Sequence, residues 1–216
     1  MTDNRTIEDR LREEYFRLLP DIRRVVEHLE AEVKYLVLPI RRKLDKYEQV
    51  VVTSRVRDCE SAVDSLRRKQ EGRTFDTEQP GLYTLRDLGD LAGVRVLAFP
   101  SSRLAEVDEE LRKRFESWQP DPVTGLGEAE LPLVFKYSGY CKEASDKVRG
   151  EIQIVPMLIG LFWEVEHSAI YKPSPELKRV ATDPEMRRCA SEVYKALRAF
   201  DQQFEALLLH QKLERR

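Results

Sequence analysis

Residues 84–97, TLRDLGDLAGVRVL, constrain the fold more than any other stretch of this chain. A short polar helix is expected to run into Asp90, and Asp90 then opens an apolar strand, Leu91 to Leu97. An acid at the lip of a buried strand is costly unless a cation balances it. Glu151 repeats the arrangement by opening EIQIV, residues 151–155. Two strand-end carboxylates in a chain with basic segments point to a divalent metal and a phosphate-bearing substrate. The plain alternative is two solvated acids.

Composition excludes several classes. The chain has 216 residues, enough for one sizeable core. Its net charge of -2 gives no global basic field, so nucleic acid is not the expected partner. Charged residues make up 35% of the chain, which fits long exposed helices. No run approaches the eighteen or so apolar residues of a membrane span. The opening MTDNRTIEDR does not resemble a signal peptide. Cys59, Cys141 and Cys189 form no CxxC and no zinc pattern, so a reducing cytoplasm is expected. Three histidines, His28, His167 and His210, are too few for a histidine-rich metal site.

Periodicity gives the order of elements. Residues 6–49 read as helix, with Ile22, Val25, Val26, Leu29, Val33 and Leu36 at helical spacing and a break at Pro39. A strand follows to Arg57, then a helix over 59–70 and a loop over 71–83. After the Asp90 strand come a helix over 103–117 and a loop over 119–130. Strands are expected at 131–137 and 147–155. A helix over 157–170 should turn Met157, Leu158, Leu161, Phe162 and Val165 inward. A last helix, 184–212, carries Val193, Leu197, Phe200, Phe204 and Leu207 on one face. The expected fold is α+β: a mixed sheet flanked by helices over 50–172, with helical arms at 1–49 and 173–216. The arms can pack on their own sheet or on another subunit, which allows a homo-oligomer through the terminal helices.

Five segments in order resemble the synthetase domain of the RelA/SpoT family, and within it the small alarmone synthetases. They are SRVRDCESAVDSLRRK (54–69), DLAGVRVL (90–97), YSGY (137–140), EIQI (151–154) and EVEHSAIYK (164–172). The resemblance implies a nucleotidyltransferase-like fold. It also implies transfer of pyrophosphate from ATP to the 3′ hydroxyl of GDP or GTP, with Mg²⁺ and release of AMP. No His-Asp pair occurs, so the hydrolase half of long family members is not expected.

The resemblance assigns roles residue by residue. Arg55, Arg57 and Ser61 fall on the ATP-binding stretch, where family members usually carry lysine in place of Arg57. Arg55 and Arg57 alternate on a strand and so share a face, where a guanidinium can stack on adenine or fork onto phosphate. Ser65 stands where a lysine is common, and Arg67, Arg68 and Lys69 are candidates for the missing charge; a solvated helix face is the alternative. Arg103 is a candidate for a second adenine-stacking arginine. Asp90 falls on the metal-binding aspartate. Glu151 falls on the catalytic glutamate, sharing the metal or taking the proton of the attacking hydroxyl. Gln153 shares its strand face, whereas Arg95, counted by parity from Asp90, is expected to serve structure. Tyr140 falls on the tyrosine that stacks on the acceptor base, and Gly139 beside it would allow close approach. Glu164 and His167 share a helix face with Tyr171 and are acceptor-side candidates.

Two family positions differ. Ala144 replaces a histidine and Val155 an arginine, both on the acceptor side. Three readings therefore stand: a guanosine alarmone synthetase, a relative with another acceptor (tRNA or an adenosine nucleotide), or a degenerate nucleotide-binding module.

Overall fold

The computed structural model describes residues 6–70, 72, 74–123, 134–166, 169–170 and 175–214. Seven α-helices are found among them: α1 (Ile7–Leu36), α2 (Leu38–Arg41), α3 (Cys59–Arg68), α4 (Arg103–Arg114), α5 (Met157–Glu166), α6 (Lys178–Thr182) and α7 (Pro184–Glu214). Five strands, β1 (Gln49–Val56), β2 (Ala92–Phe99), β3 (Gln119–Val123), β4 (Val134–Tyr140) and β5 (Arg149–Pro156), form one sheet in the order β1-β2-β5-β4-β3. β2 and β5 run parallel and the other neighbours antiparallel. The architecture is the expected α+β mixed sheet flanked by helices. No described helix is long and apolar enough to cross a membrane.

Strand alternation divides the sheet into an apolar face and a polar one. Val94, Val96, Ile152, Ile154 and Tyr137 point to the apolar face and are almost wholly buried. Helix α1 covers that face. Its Leu11, Ile22, Val25, Leu29 and Val33 are fully buried, each worth roughly 1.5–3 kcal/mol relative to exposure. Thr6 starts the helix with a capping box against Asp9. The helix continues through Pro20, which faces solvent, so the lost amide donor lies outside the core. The first arm thus packs on its own sheet.

Trp118 fits under the sheet because two glycines face it. Gly139 and Gly150 are cross-strand partners. A Cβ at Gly139 would lie 2.6 Å from Trp118 Cγ, and one at Gly150 would lie 2.5 Å from Leu29 Cδ1 and 3.2 Å from Trp118 Cη2. Gly139 therefore makes room for the core, not for an approaching ligand.

The opposite face is apolar only at one end. There Leu97, Val134, Val155 and Ile159 form a second cluster, with Met157, Trp163, Tyr194 and Leu197 packed against it. The inward side of α5 is Ile159 and Gly160. Leu161 and Val165, expected inward, are exposed, because α5 touches the sheet along one narrow line. Helix α7 docks beside it. Asp201 is 6% exposed and accepts from the Ser101 amide at 3.3 Å and from the Ser101 hydroxyl. Phe204 packs on Phe99 and Tyr47.

Two expectations need correction. β3 occupies part of the stretch read as a loop. Pro120 and Pro122 lie on it two residues apart, so the amides they lack share one in-plane direction. An edge strand tolerates that and an inner strand does not. The helix expected before Asp90 is a 3-10 turn, Leu85–Asp87. Of the helix expected over 157–170, residues 157–166 are α-helical and 169–170 are π-helical, and 167–168 lie outside the described residues.

Candidate active site

Two cross-strand rows cross the polar face. One reads Arg55, Gly93, Glu151, Ser138; the next reads Thr53, Arg95, Gln153, Lys136. With α5 they line a cavity of about 310 Å³, walled by Arg55, Arg95, Glu151, Gln153, Leu161 and Glu164 among others. That is the lower end of the size usual for small-molecule sites.

The polar groups of the cavity form a chain. Arg95 Nε donates to Gln153 Oε1 at 3.2 Å, and Gln153 Nε2 donates to Glu151 Oε1 at 2.5 Å. Lys136 Nζ lies 3.8 Å from the other oxygen of Glu151. Glu164 pairs with Arg95 across the mouth. Arg55 is exposed and has no ion pair or hydrogen bond among the described residues. Gly93, between Arg55 and Glu151, is bare floor: an added Cβ would meet nothing nearer than the Arg55 carbonyl at 3.7 Å.

Beside the cavity stands a second group. Arg57 pairs with Asp90, and the two side chains are 13% and 25% exposed. The Arg57 amide donates to the Leu91 carbonyl at 3.0 Å, which continues the β1–β2 ladder past its ends. Arg57 Nε is buried without a partner. Helix α1 holds both members in place. Tyr15 Oη donates to the Arg57 carbonyl at 2.7 Å. Arg10 donates to the Tyr83 carbonyl at 2.8 Å, and Glu14 accepts from the Leu85 amide at 3.1 Å, which pins the segment leading to Asp90.

Other expected residues lie further out. Ser61 meets Arg57 only through its carbonyl, at 3.5 Å. Arg68 is tied to Asp64 at 3.2 Å, at the far end of α3, where a cation also suits the helix dipole. Lys69 is exposed just beyond it. Arg103 sits past the opposite end of β2, 2.6 Å from Glu48 and 2.5 Å from Glu106. Burial works against its charge, but these two acids outweigh burial and hold it protonated. The fold therefore separates Arg103 from Arg55. Tyr140 is half exposed at the end of β4, with the Arg149 guanidinium 5.9 Å over its ring. Arg149 also donates to Ser138 Oγ at 3.1 Å. His167 and Tyr171 lie outside the described residues.

Arg95, Lys136 and Arg149 escaped the sequence reading. Parity for Arg95 was counted from Asp90, but the strand begins at Ala92, and the bend before it resets the phase. Counted from Gly93, Arg95 faces the cavity. Lys136 and Arg149 are placed by register across β4 and β5, which local sequence does not reveal.

No family model matches the sequence, and no curated protein matches it. Solved structures do. The small alarmone synthetase 1 of Bacillus subtilis superposes with a TM-score of 0.67 at 19% identity, over 93% of this chain and 98% of that one. The same protein bound to AMPCPP gives 0.64 at 21% identity, over 93% and 98%. Bound to its product pppGpp it gives 0.62 at 19% identity, over 94% and 98%. The chain has the small alarmone synthetase fold. That fold spans nearly all of both chains, so the N-terminal and C-terminal helices of this protein are part of it.

Proposed function

We propose that this chain is an ATP-dependent nucleotide pyrophosphokinase. In this reading it moves pyrophosphate from ATP to the 3′ hydroxyl of GDP or GTP and so makes guanosine alarmones. One observation carries the reading: Arg55, Arg95, Glu151, Gln153 and Glu164 converge on one cavity. The fold around it is shared with a protein solved with AMPCPP and with pppGpp.

ATP would lie over Gly93. Arg55, unpartnered among the described residues, presents a guanidinium to stack on adenine or fork onto phosphate. Arg95 is the second guanidinium of the cavity and takes the place first sought in Arg103. Arg57 adds fixed positive charge beside Asp90. The acceptor base would stack on Tyr140, with Glu164 and His167 as further acceptor-side candidates. The acceptor 3′ oxygen forms a bond to the β-phosphorus of ATP. The bond from that phosphorus to the α-phosphate oxygen breaks, and AMP leaves with the electron pair. Glu151 takes the hydroxyl proton, its two oxygens oriented by Gln153 and Lys136.

Magnesium fits the donors present. It needs only one or two carboxylates when nucleotide phosphates supply other ligands. Asp90 offers a partly solvated hard oxygen, and Glu151 is the other candidate. When bound, the ion would neutralise phosphate charge.

A second reading, another acceptor, rests on the acceptor side of the site. Val155 is fully buried beneath α5, and Ala144 packs against the core. Neither position gives the face a polar group that could read a base. A cytoplasmic site of action follows from the substrates, and a homo-oligomer from the exposed apolar side of α7.

The test is incubation with Mg²⁺ and ATP labelled in its β-phosphate, with GDP, GTP, ATP or tRNA in parallel. Label on GDP or GTP with matching AMP release is expected. Label on ATP or tRNA instead would select the second reading. ATP binding with no transfer to any acceptor would leave only a nucleotide-binding module.

A further inference from the structure

On the core side of the sheet, below the end of β4, three side chains converge that the transfer chemistry does not use. His28 comes from α1; Cys141 and Glu143 come from the turn directly after Tyr140. One donor atom from each lies within 4.8 Å of the other two. Cys141 Sγ is 3.9 Å from Glu143 Oε2, and Cys141 is 4% exposed. His28 Nε2 is buried and makes no hydrogen bond. Its nearest acid, Glu32 Oε2 at 3.5 Å, is too poorly aimed to serve. A buried ring nitrogen with no hydrogen bond is costly, and the imidazole that carries it stands beside a thiol and a carboxylate.

The charges around the cluster are also unbalanced. Arg114 pairs with Glu32 and lies 3.8 Å from Glu143. Two carboxylates therefore share one guanidinium, an excess of negative charge that a bound cation would offset.

We propose that the His28 imidazole, Cys141 Sγ and the Glu143 carboxylate form a divalent metal site of the zinc class, with Glu32 or a water in the fourth position. Tetrahedral zinc, with bonds of about 2.0–2.3 Å, sets its donors roughly 3.3–3.7 Å apart, so these side chains need to close by only about 1 Å. Thiolate and imidazole together select zinc over magnesium or calcium, which prefer oxygen throughout. The bound ion fastens the turn after Tyr140 to α1, and so fixes the end of the strand that carries that ring. Binding displaces the thiol proton, so affinity rises with pH.

The experiment uses the full chain, stripped by a chelator, dialysed and titrated with Co²⁺ and then Zn²⁺. One Co²⁺ per chain is expected, with a near-ultraviolet thiolate-to-cobalt band that Zn²⁺ abolishes, and Zn²⁺ should raise the melting temperature. Cys141→Ser should remove the band. His28→Gln should weaken binding about a hundredfold, and Glu143→Gln, at an exposed position, by about tenfold or more, the range for loss of metal-site groups. Cys189→Ser should change nothing. Absence of a one-to-one band in the unmutated protein overturns the site. A band that survives Cys141→Ser does so too. If Cys141→Ser does not fold, unchanged Co²⁺ affinity in both His28→Gln and Glu143→Gln is the overturning result.

Discussion

Asp90 and Glu151 look equivalent in the sequence, but their partners differ, and so should their variants. Glu151 keeps its hydrogen bond from Gln153 when it becomes glutamine. Asp90 balances the charge of the largely buried Arg57. Glu151→Gln should therefore cut transfer by about a hundredfold or more with stability nearly unchanged. Asp90→Asn should cut transfer similarly and also cost about 1–3 kcal/mol, because it leaves a buried charge without its partner. Chemical denaturation beside the transfer assay separates the two; equal stability of both variants would contradict the pairing. Tyr140 gives a second prediction. Tyr140→Ala should raise the acceptor KM while leaving ATP affinity unchanged, and Tyr140→Phe should be mild, because stacking needs only the ring. Similar KM values for GDP and ADP in the unmutated protein would follow from stacking without base-reading hydrogen bonds. A strong preference for GDP would instead mean that a polar side chain reads the base.

At the scale of elements, the sheet uses one register for two purposes. Tyr137 faces the core and donates to Asp108, while Tyr140, three residues on, is half exposed on the opposite face at the end of β4. Burial, and after it Asp108, pushes the Tyr137 phenol up to about 12. A raised folded-state value means that this group contributes stability fully below the unfolded tyrosine range near pH 10. That contribution is lost as pH rises through about 12. Tyr137→Phe should therefore lower stability at neutral pH and flatten its decline between about pH 10 and 12, read from urea midpoints across that window. The paired glycines give another test. Gly139→Ala or Gly150→Ala should cost roughly 1–3 kcal/mol by overpacking against Trp118 or Leu29. Trp118→Leu should relieve the Gly139 variant in a double-mutant cycle. Element order and most strand positions were legible because periodicity is local. β3 was not, since a proline pair signals a break unless the strand is known to be an edge. The inward side of α5 was not either, because MLIGLF is apolar all round and only the sheet chooses which side is buried.

Across the whole molecule, the terminal helices belong to the same body as the sheet, yet α7 leaves an apolar stripe uncovered. Met186, Val193, Phe200 and Leu207 recur every seven residues and are all exposed. That spacing suits a helix-to-helix seam with another copy. Light scattering should therefore give a mass above the 25.3 kDa of one chain. Leu207→Asp should lower that mass, and a monomer in the unmutated protein would contradict the seam. Arg55 and Glu151, on the cavity wall, were legible from the sequence because each sits in a short recognisable segment. Their neighbours Arg95, Lys136 and Arg149 were not, because they enter the site through long-range register. The two apolar clusters on opposite faces of the sheet have an optical consequence. Of the chain's two tryptophans, Trp118 lies in the cluster under α1 and Trp163 packs on the cluster under α5. Trp163→Phe leaves an emitter that sees only the covered side of the sheet, and Trp118→Phe leaves one on α5, the helix that walls the cavity. Nucleotide binding should quench or shift the second and leave the first dark to it, so light alone can tell which face a ligand has touched.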